Sequence, residues 1–320
     1  MALRGDNAMA GKAGYSPSLS SAYHYPVETK QPYLEHETAK ALLATLPAGI
    51  AETLVDGYLN GRPLSGQSGQ AVIDHFQTQS VMIPKVTEYP GTFTMLEFMY
   101  GFQKVNLPID RYFAQNLHAG VSLEARFKTV NHHAVQHINQ ILARQEQCLV
   151  LDLGSGPGRN GIAMTLENPE FAERVQFHCV DTDPAAIAHG RQLAEEHGLQ
   201  NIHFIDKSMT RLHRKYQQAA DYGLMIGVLC GLTTEERAGL LKLIRPYFRP
   251  GARVVGAGLL DNVLDADLFC AYILRETTGW ILQHEPVGAV GTAFELAGYG
   301  YEGYFQEEPT RCYEIGIGLA

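Results

Sequence analysis

Apolar positions along the chain follow two rhythms, and the change between them falls near residue 145. Before it the spacing is helical. Over Tyr33 to Leu59 the apolar residues Leu42, Leu43, Leu46, Ile50, Leu54 and Tyr58 recur every three or four positions, which predicts an amphipathic helix. Gly61, Pro63 and Gly66 then separate it from a second helix over Gln67 to Val81. Thr92 to Gln103 carries Phe93, Met95, Leu96, Phe98, Met99, Tyr100 and Phe102, so it is apolar nearly all round and must be buried on more than one side. Pro108 is expected to break it from Ile109 to Phe113. A long helix, about Ser122 to Arg144, follows with Leu123, Phe127, Val130, Ala134, Ile138 and Ile141 as its buried stripe.

After residue 145 the apolar residues come in short unbroken runs. Cys148 to Leu153 and Val175 to Val180 have the length and composition of buried parallel strands. Asn201 to Met209 and Asp221 to Leu229 read as the third and fourth strands. Thr233-Thr-Glu-Glu236 is a capping box opening a helix to about Phe248, which Pro250-Gly251 ends before a fifth strand, Ala252 to Leu259. Gly298 to Phe305 and Arg311 to Leu319 alternate apolar and polar residues and flank a polar turn, a hairpin pattern. The pattern divides the chain into a tail over 1–30, a helical cap with its connecting helix over 31–145, and an α/β domain over 146–320. The first 25 residues, rich in Ala, Gly, Ser and Tyr, read as neither signal peptide nor packed element.

Composition narrows the function. The 320 residues are 45% hydrophobic and 18% charged, as expected of an ordinary soluble protein, and no run reaches the ~18 to 20 apolar residues of a membrane span. A net charge of −9 and a pI near 5.8 argue against a nucleic acid partner, because phosphate binding draws on clustered Lys and Arg. A small or neutral molecule fits better. Five widely spaced cysteines, most inside apolar runs, read as buried thiols of a reducing compartment, which places the chain in the cytoplasm. Of His132, His133 and His137, positions 133 and 137 share a helix face, but nothing nearby supplies a third ligand in a known pattern and the Glu of a His-Glu-x-x-His motif is missing, so no metal is predicted.

The chemistry concentrates in Asp152-Leu-Gly154-Ser155-Gly156-Pro-Gly158. Glycines directly after a buried strand let the backbone turn sharply and approach a ligand that a Cβ would block. The dinucleotide fingerprint is not met, because Gly158 comes one position early and Arg159 stands where that pattern wants glycine. Asp152 would repel a pyrophosphate but could accept a hydrogen bond from a ligand ammonium. The loop therefore suits a cationic or zwitterionic nucleoside. Asp181-Thr182-Asp183, at the tip of the second strand, is placed to accept both hydroxyls of a ribose.

This loop resembles the Asp/Glu-x-Gly-x-Gly-x-Gly motif of the class I S-adenosylmethionine-dependent methyltransferase family, and the resemblance runs from about residue 146 to the C-terminus. It implies a Rossmann-like seven-stranded core with a reversed C-terminal hairpin, here preceded by an N-terminal α-helical cap. S-adenosyl-L-methionine is the implied cofactor. Asp152, Gly154, Ser155, Gly156 and Gly158 would line it, Asp181 and Thr182 would hold its ribose, and Ser208 and Met209 would meet its adenine, although many members carry Asp where Ser208 stands. Gly227 follows the fourth strand, where Gly227-Val-Leu-Cys-Gly231 replaces an Asn-Pro-Pro-Tyr type signature. In similar members a basic residue of the helix before the first strand grips the methionyl carboxylate, a role that falls to Arg126.

The implied activity is methyl transfer to a small-molecule acceptor in specialised metabolism. Tyr100, Phe102, Tyr112 and Phe113 are candidate walls for the sulfonium by cation–π attraction, although aromatic residues at helical spacing also simply fill cores. Tyr100, Tyr112 and Asn131 are the catalytic candidates, with His203, His284 and Glu285 as further choices of base. Two rival readings accompany methyl transfer. The fold can attack the aminobutyrate carbon instead and release methylthioadenosine, as azetidine-2-carboxylate synthases and nicotianamine-type synthases do, or it can bind the cofactor without consuming it. The cap offers a surface for oligomer formation.

Overall fold

The computed structural model describes residues 25–212, 216–262, 267–280 and 282–320. Most of the expected tail over 1–30 lies outside them. The chain divides into two compact units: Met1–Glu124 with Asp261–His284, and Ala125–Leu260 with Glu285–Ala320. Asp261–His284 groups with the N-terminal helices.

In chain order the first unit holds α1 (Val27–Leu34), α2 (Glu37–Leu43), α3 (Ala48–Leu59), α4 (Gly66–Thr78), α5 (Met82–Glu88), α6 (Phe93–Met99) and α7 (Pro108–Gln115). A π-helical turn, Leu117–Val121, leads into α8 (Ser122–Leu142). The single helix expected over Tyr33 to Leu59 is three. Its second break falls at Pro47, whose nitrogen has no hydrogen to donate to the preceding turn and which instead stands before α3 in an extended conformation. Pro108 opens α7 at a first-turn position, where the fixed φ of proline suits a helix start.

In the second unit, β1 (Cys148–Leu153), α9 (Arg159–Glu167), α10 (Phe171–Arg174), β2 (Val175–Asp181), α11 (Pro184–Glu196) and β3 (Ile202–Asp206) form one half of the sheet. β4 (Ala220–Met225), α12 (Thr234–Ile244) and β5 (Phe248–Leu260) form the other. The chain then returns to the first unit as α13 (Leu268–Thr278), where Tyr58 packs on Phe269 at 5.0 Å and the Leu64 N–H donates to Glu276 at 2.8 Å. It ends in the second unit with α14 (Ala289–Leu296), β6 (Gly300–Phe305) and β7 (Tyr313–Leu319).

The strands of five or more residues run in the order β3-β2-β1-β4-β5-β7-β6. β1 to β5 are parallel, and β7 runs antiparallel to both β5 and β6, so the hairpin is reversed as expected. Val150, Leu151, Phe177, Leu224 and Val254 are fully buried, as strands covered on both faces require. The capping box forms: the Thr233 hydroxyl accepts from Glu236 N–H, and the Glu236 carboxylate accepts from Thr233 N–H. Several boundaries differ from expectation, and α12 ends at Ile244 rather than near Phe248. β4 stops at Met225, and β5 starts at Phe248, because Pro250 and Gly251, with φ +79°, sit where the pairing between β4 and β5 shifts register, a site that tolerates a missing N–H.

Close packing at the loop end of the sheet generates a test. A Cβ on Gly190 of α11 would overlap the Phe204 ring and lie 2.6 Å from Pro157 O. Gly190→Ala is expected to destabilise the fold by about 1–3 kcal/mol through overpacking, read as a lower denaturant midpoint. An unchanged midpoint would show that this contact is not tight.

Candidate functional site

The site grows from the centre of the sheet, where β1 is flanked by β2 on one side and β4 on the other. Strand order reverses there, and the crevice beyond the carboxyl ends of such strands is where α/β sheets hold ligands. Gly154, Gly156 and Gly158 all have positive φ, at +70°, +54° and +70°. A side chain at Gly158 would meet Cys179 Sγ at 2.9 Å and the Phe204 ring at 3.0 Å, and one at Gly154 would overlap a methyl of Val228. Both geometry and space therefore demand glycine. The turn is fixed by Gly154 and Ser155 N–H groups donating to Val180 O at 2.8 and 3.2 Å. Gly158 then serves as N-cap of α9.

Asp181 is the organiser of this loop. Its Oδ2 accepts from Gly156 N–H at 2.8 Å, while Oδ1 accepts from Thr182 and Asp183 N–H at 2.7 and 2.9 Å. A carboxylate offers about four lone-pair sites, so one remains for a ligand hydroxyl. Thr182 is exposed beside it. Asp183 caps α11 by accepting from Ala185 N–H at 2.9 Å. An acid directly before Pro184 is an N-cap signal in the sequence, beyond its place in the acidic tip.

Asp152 lies at the end of β1 and is buried, and among the described residues no donor reaches its Oδ2. Burial, and after it the charge of Asp181, push its carboxyl up to about 7. An unmatched buried carboxylate costs stability, and an arriving ammonium would relieve that cost. The residues present thus fit an ammonium-bearing nucleoside.

The remaining candidates separate by the element that carries them. Met209 approaches Gly154, its Cε lying 3.5 Å from where a Cβ would stand, and Ser208 caps the short turn that carries it. Gly227 is exposed, with nothing within 4 Å of a Cβ position, while its neighbour Val228 packs at Gly154. Arg126 and Asn131 come from α8. Arg126 is buried, with its guanidinium 4.5 Å from the Tyr313 ring centre and Nη1 3.7 Å from Cys230 Sγ. Asn131 accepts from the Asn160 side-chain amide at 2.7 Å, which ties α8 to the start of α9. Asn160 went unnoticed in the sequence, since its partner is 29 positions away.

Tyr100 and Tyr112 belong to the first unit. Tyr100 stands edge-on to Phe102 at 6.2 Å, and Tyr112 edge-on to Phe113 and Phe269 at 5.3 and 6.3 Å. Burial holds the Tyr112 phenol well above its ordinary range. Both contribute to aromatic packing there. In the second unit His133 stacks on Phe305 at 3.8 Å, His137 bonds Tyr222, and His203 bonds Gln176.

Comparison with known proteins agrees with this geometry. Residues 144–258 match the methyltransferase domain family. A possible exported protein of Bordetella parapertussis aligns over 90% of this chain and 98% of its own, with 15% identity and a TM-score of 0.59. The magnesium protoporphyrin IX methyltransferase of Synechocystis, solved with bound SAH, aligns over 78% of this chain and 98% of its own, with 14% identity and a TM-score of 0.52. An uncharacterised Synechocystis protein is 28% identical over 81 residues, a stretch that spans 25% of this chain and 16% of that relative.

Asp152 supplies the test of the site. Its folded carboxyl titrates about 7 against an ordinary 3.8, so ionisation costs the ligand-free fold nothing below pH 4 and the full penalty above pH 7. Asp152→Asn is expected to melt higher than the parent at pH 8 and equally at pH 4. S-adenosylmethionine affinity should rise with pH between 5.5 and 7 in the parent and stay flat and weaker in the variant, by calorimetry. A pH-independent parent affinity would remove Asp152 from the ligand site.

Proposed function

We propose that the chain transfers the methyl group of S-adenosylmethionine to a small-molecule acceptor, a reading supported by the match of residues 144–258 to the methyltransferase domain family. One observation carries the reading: the buried carboxylate of Asp152, lacking a protein donor among the described residues at Oδ2, ends the central strand beside three positive-φ glycines. Bound there, the sulfonium supplies an electrophilic methyl carbon. Asp152 receives the ammonium, Asp181 accepts a ribose hydroxyl while holding the loop, and Met209 with Ser208 lies toward the base. Arg126 is assigned the methionyl carboxylate, which its planar guanidinium can grip at two oxygens.

Methyl transfer is an in-line displacement, so orientation and exclusion of water can supply most of the rate without a strong acid or base. The bare segment around Gly227 supports this, since it presents no polar clamp to an amino group. The net charge of −9 supports a small acceptor over a polyanion, and five buried free cysteines support a reducing, cytoplasmic setting. No helix among the described residues is long and apolar enough to cross a membrane.

Two measurements test the proposal. Purified protein given S-adenosylmethionine with a panel of small hydroxyl, amine and carbon acceptors is expected to release S-adenosylhomocysteine only when an acceptor is present. Methylthioadenosine formed from the cofactor alone would replace methyl transfer by attack on the aminobutyrate carbon, and unconsumed but bound cofactor would make the chain a sensor. Asp181→Ala is expected to weaken binding by about 1–3 kcal/mol and also to lower the melting temperature, since three backbone N–H groups lose their acceptor. Full affinity in that variant would remove the ribose assignment.

A further inference from the structure

The first unit contains a pair of buried histidines that no step of methyl transfer uses. His118 lies in the π-helical turn and is 4% exposed; His284 follows α13 and is 7% exposed. Among the described residues, none hydrogen-bonds to either nitrogen of either ring. Native proteins seldom leave four such atoms unmatched, because each costs free energy comparable to a lost hydrogen bond. Backbone shortage does not explain it. The His118 N–H donates to Asn116 Oδ1 at 2.8 Å, and its carbonyl accepts from the Ser122 hydroxyl at 2.8 Å. Asn116 in turn donates to Asp267, the N-cap of α13, so the turn is anchored on both sides while the imidazole alone is left unsatisfied.

The spacing of the rings limits what could bridge them. Their centroids are 6.2 Å apart and their planes inclined at 53°. A direct N–H to N bond would require centroids no more than roughly 5 Å apart. An oxygen bonded to a ring nitrogen sits roughly 4 Å from that ring's centre, so one oxygen serving both rings would see them at close to a tetrahedral angle, the angle at which a hydroxyl donates and accepts. A single metal ion fits less well. It would have to bind the two nitrogens almost in line, and no group of three or more His, Cys, Asp or Glu side chains among the described residues is arranged to complete its shell. Burial lowers the basicity of both rings, to about 3 for His118 and about 4 for His284, so each stays neutral with one donor and one acceptor. Short π-helical turns often accompany functional sites, because the extra residue re-aims a side chain.

We propose that His118 and His284 form a binding site for the hydroxyl group of a small organic molecule, one ring donating a hydrogen bond to the hydroxyl oxygen and the other accepting one from its O–H. The inference does not depend on what the glycine loop binds. Phenol is a suitable probe, and toluene, of the same shape without the hydroxyl, is its control. In the full chain labelled with nitrogen-15 histidine, phenol is expected to shift the ring nitrogens of both residues along one saturable curve, whereas toluene leaves them unmoved. His118→Phe should raise the phenol Kd at His284 at least tenfold without lowering the melting temperature, since a buried polar group gives way to an apolar one. Should that variant fold poorly, His118→Gln is expected to retain the response at His284, because an amide also donates and accepts. Rings unmoved by phenol, equal shifts with toluene, a response at one ring only, or a crystal grown with phenol that shows an ordered water only in the gap would each overturn the site.

Discussion

A strand in the middle of a parallel sheet must end somewhere, and here it ends on a carboxylate that the fold does not neutralise. Asp152 is buried between flanking strands, and its Oδ2 has no donor among the described residues. The glycine turn that follows cannot shield it, because its own N–H groups are committed to Val180 O and to Asp181. In the proposed reading, the stability lost at Asp152 becomes binding energy for the ligand's ammonium, a relation between strained sites and function. Everything proposed for the second unit depends on that one unmatched oxygen.

Asp181 shows the complementary strategy. Its oxygens are nearly filled by three backbone N–H groups, so it acts first as the clasp joining the tips of β1 and β2. A ribose would take the lone pair that remains. Two acids 29 positions apart thus divide the work, one matched by backbone and rigid, the other unmatched and receptive. Their mutual repulsion contributes to the raised titration of Asp152.

Elsewhere buried charge finds protein partners. Arg237, fully buried on α12, pairs with Glu285 and donates to Leu229 O at 2.9 Å, which holds the turn after β4. Glu314 on β7 accepts from Gly288 and Gly291 N–H at the start of α14, offsetting the unpaired donors of a helix end. The Asp152 oxygen and the His118 and His284 rings, unmatched among the described residues, are the atoms to which the proposals assign ligands.

The sequence alone determined the strands, the glycine turn, the acid at the tip of β2, the capping box and the reversed hairpin, because each is set by residues adjacent in the chain. Apolar runs read directly as buried strands, and only glycine permits three positive φ values in five positions. It did not determine that Leu268–Thr278 would leave the α/β domain to pack with Tyr58, since that choice depends on a partner more than 200 positions away, whereas the break at Pro47 within Tyr33 to Leu59 is local. The pairing of Asn131 with Asn160, the stacking of Arg126 on Tyr313 and the meeting of His118 with His284 belong to the same class. Local rules fix how a backbone turns. Only the packed fold decides which buried polar atoms find a partner and which are left for a ligand.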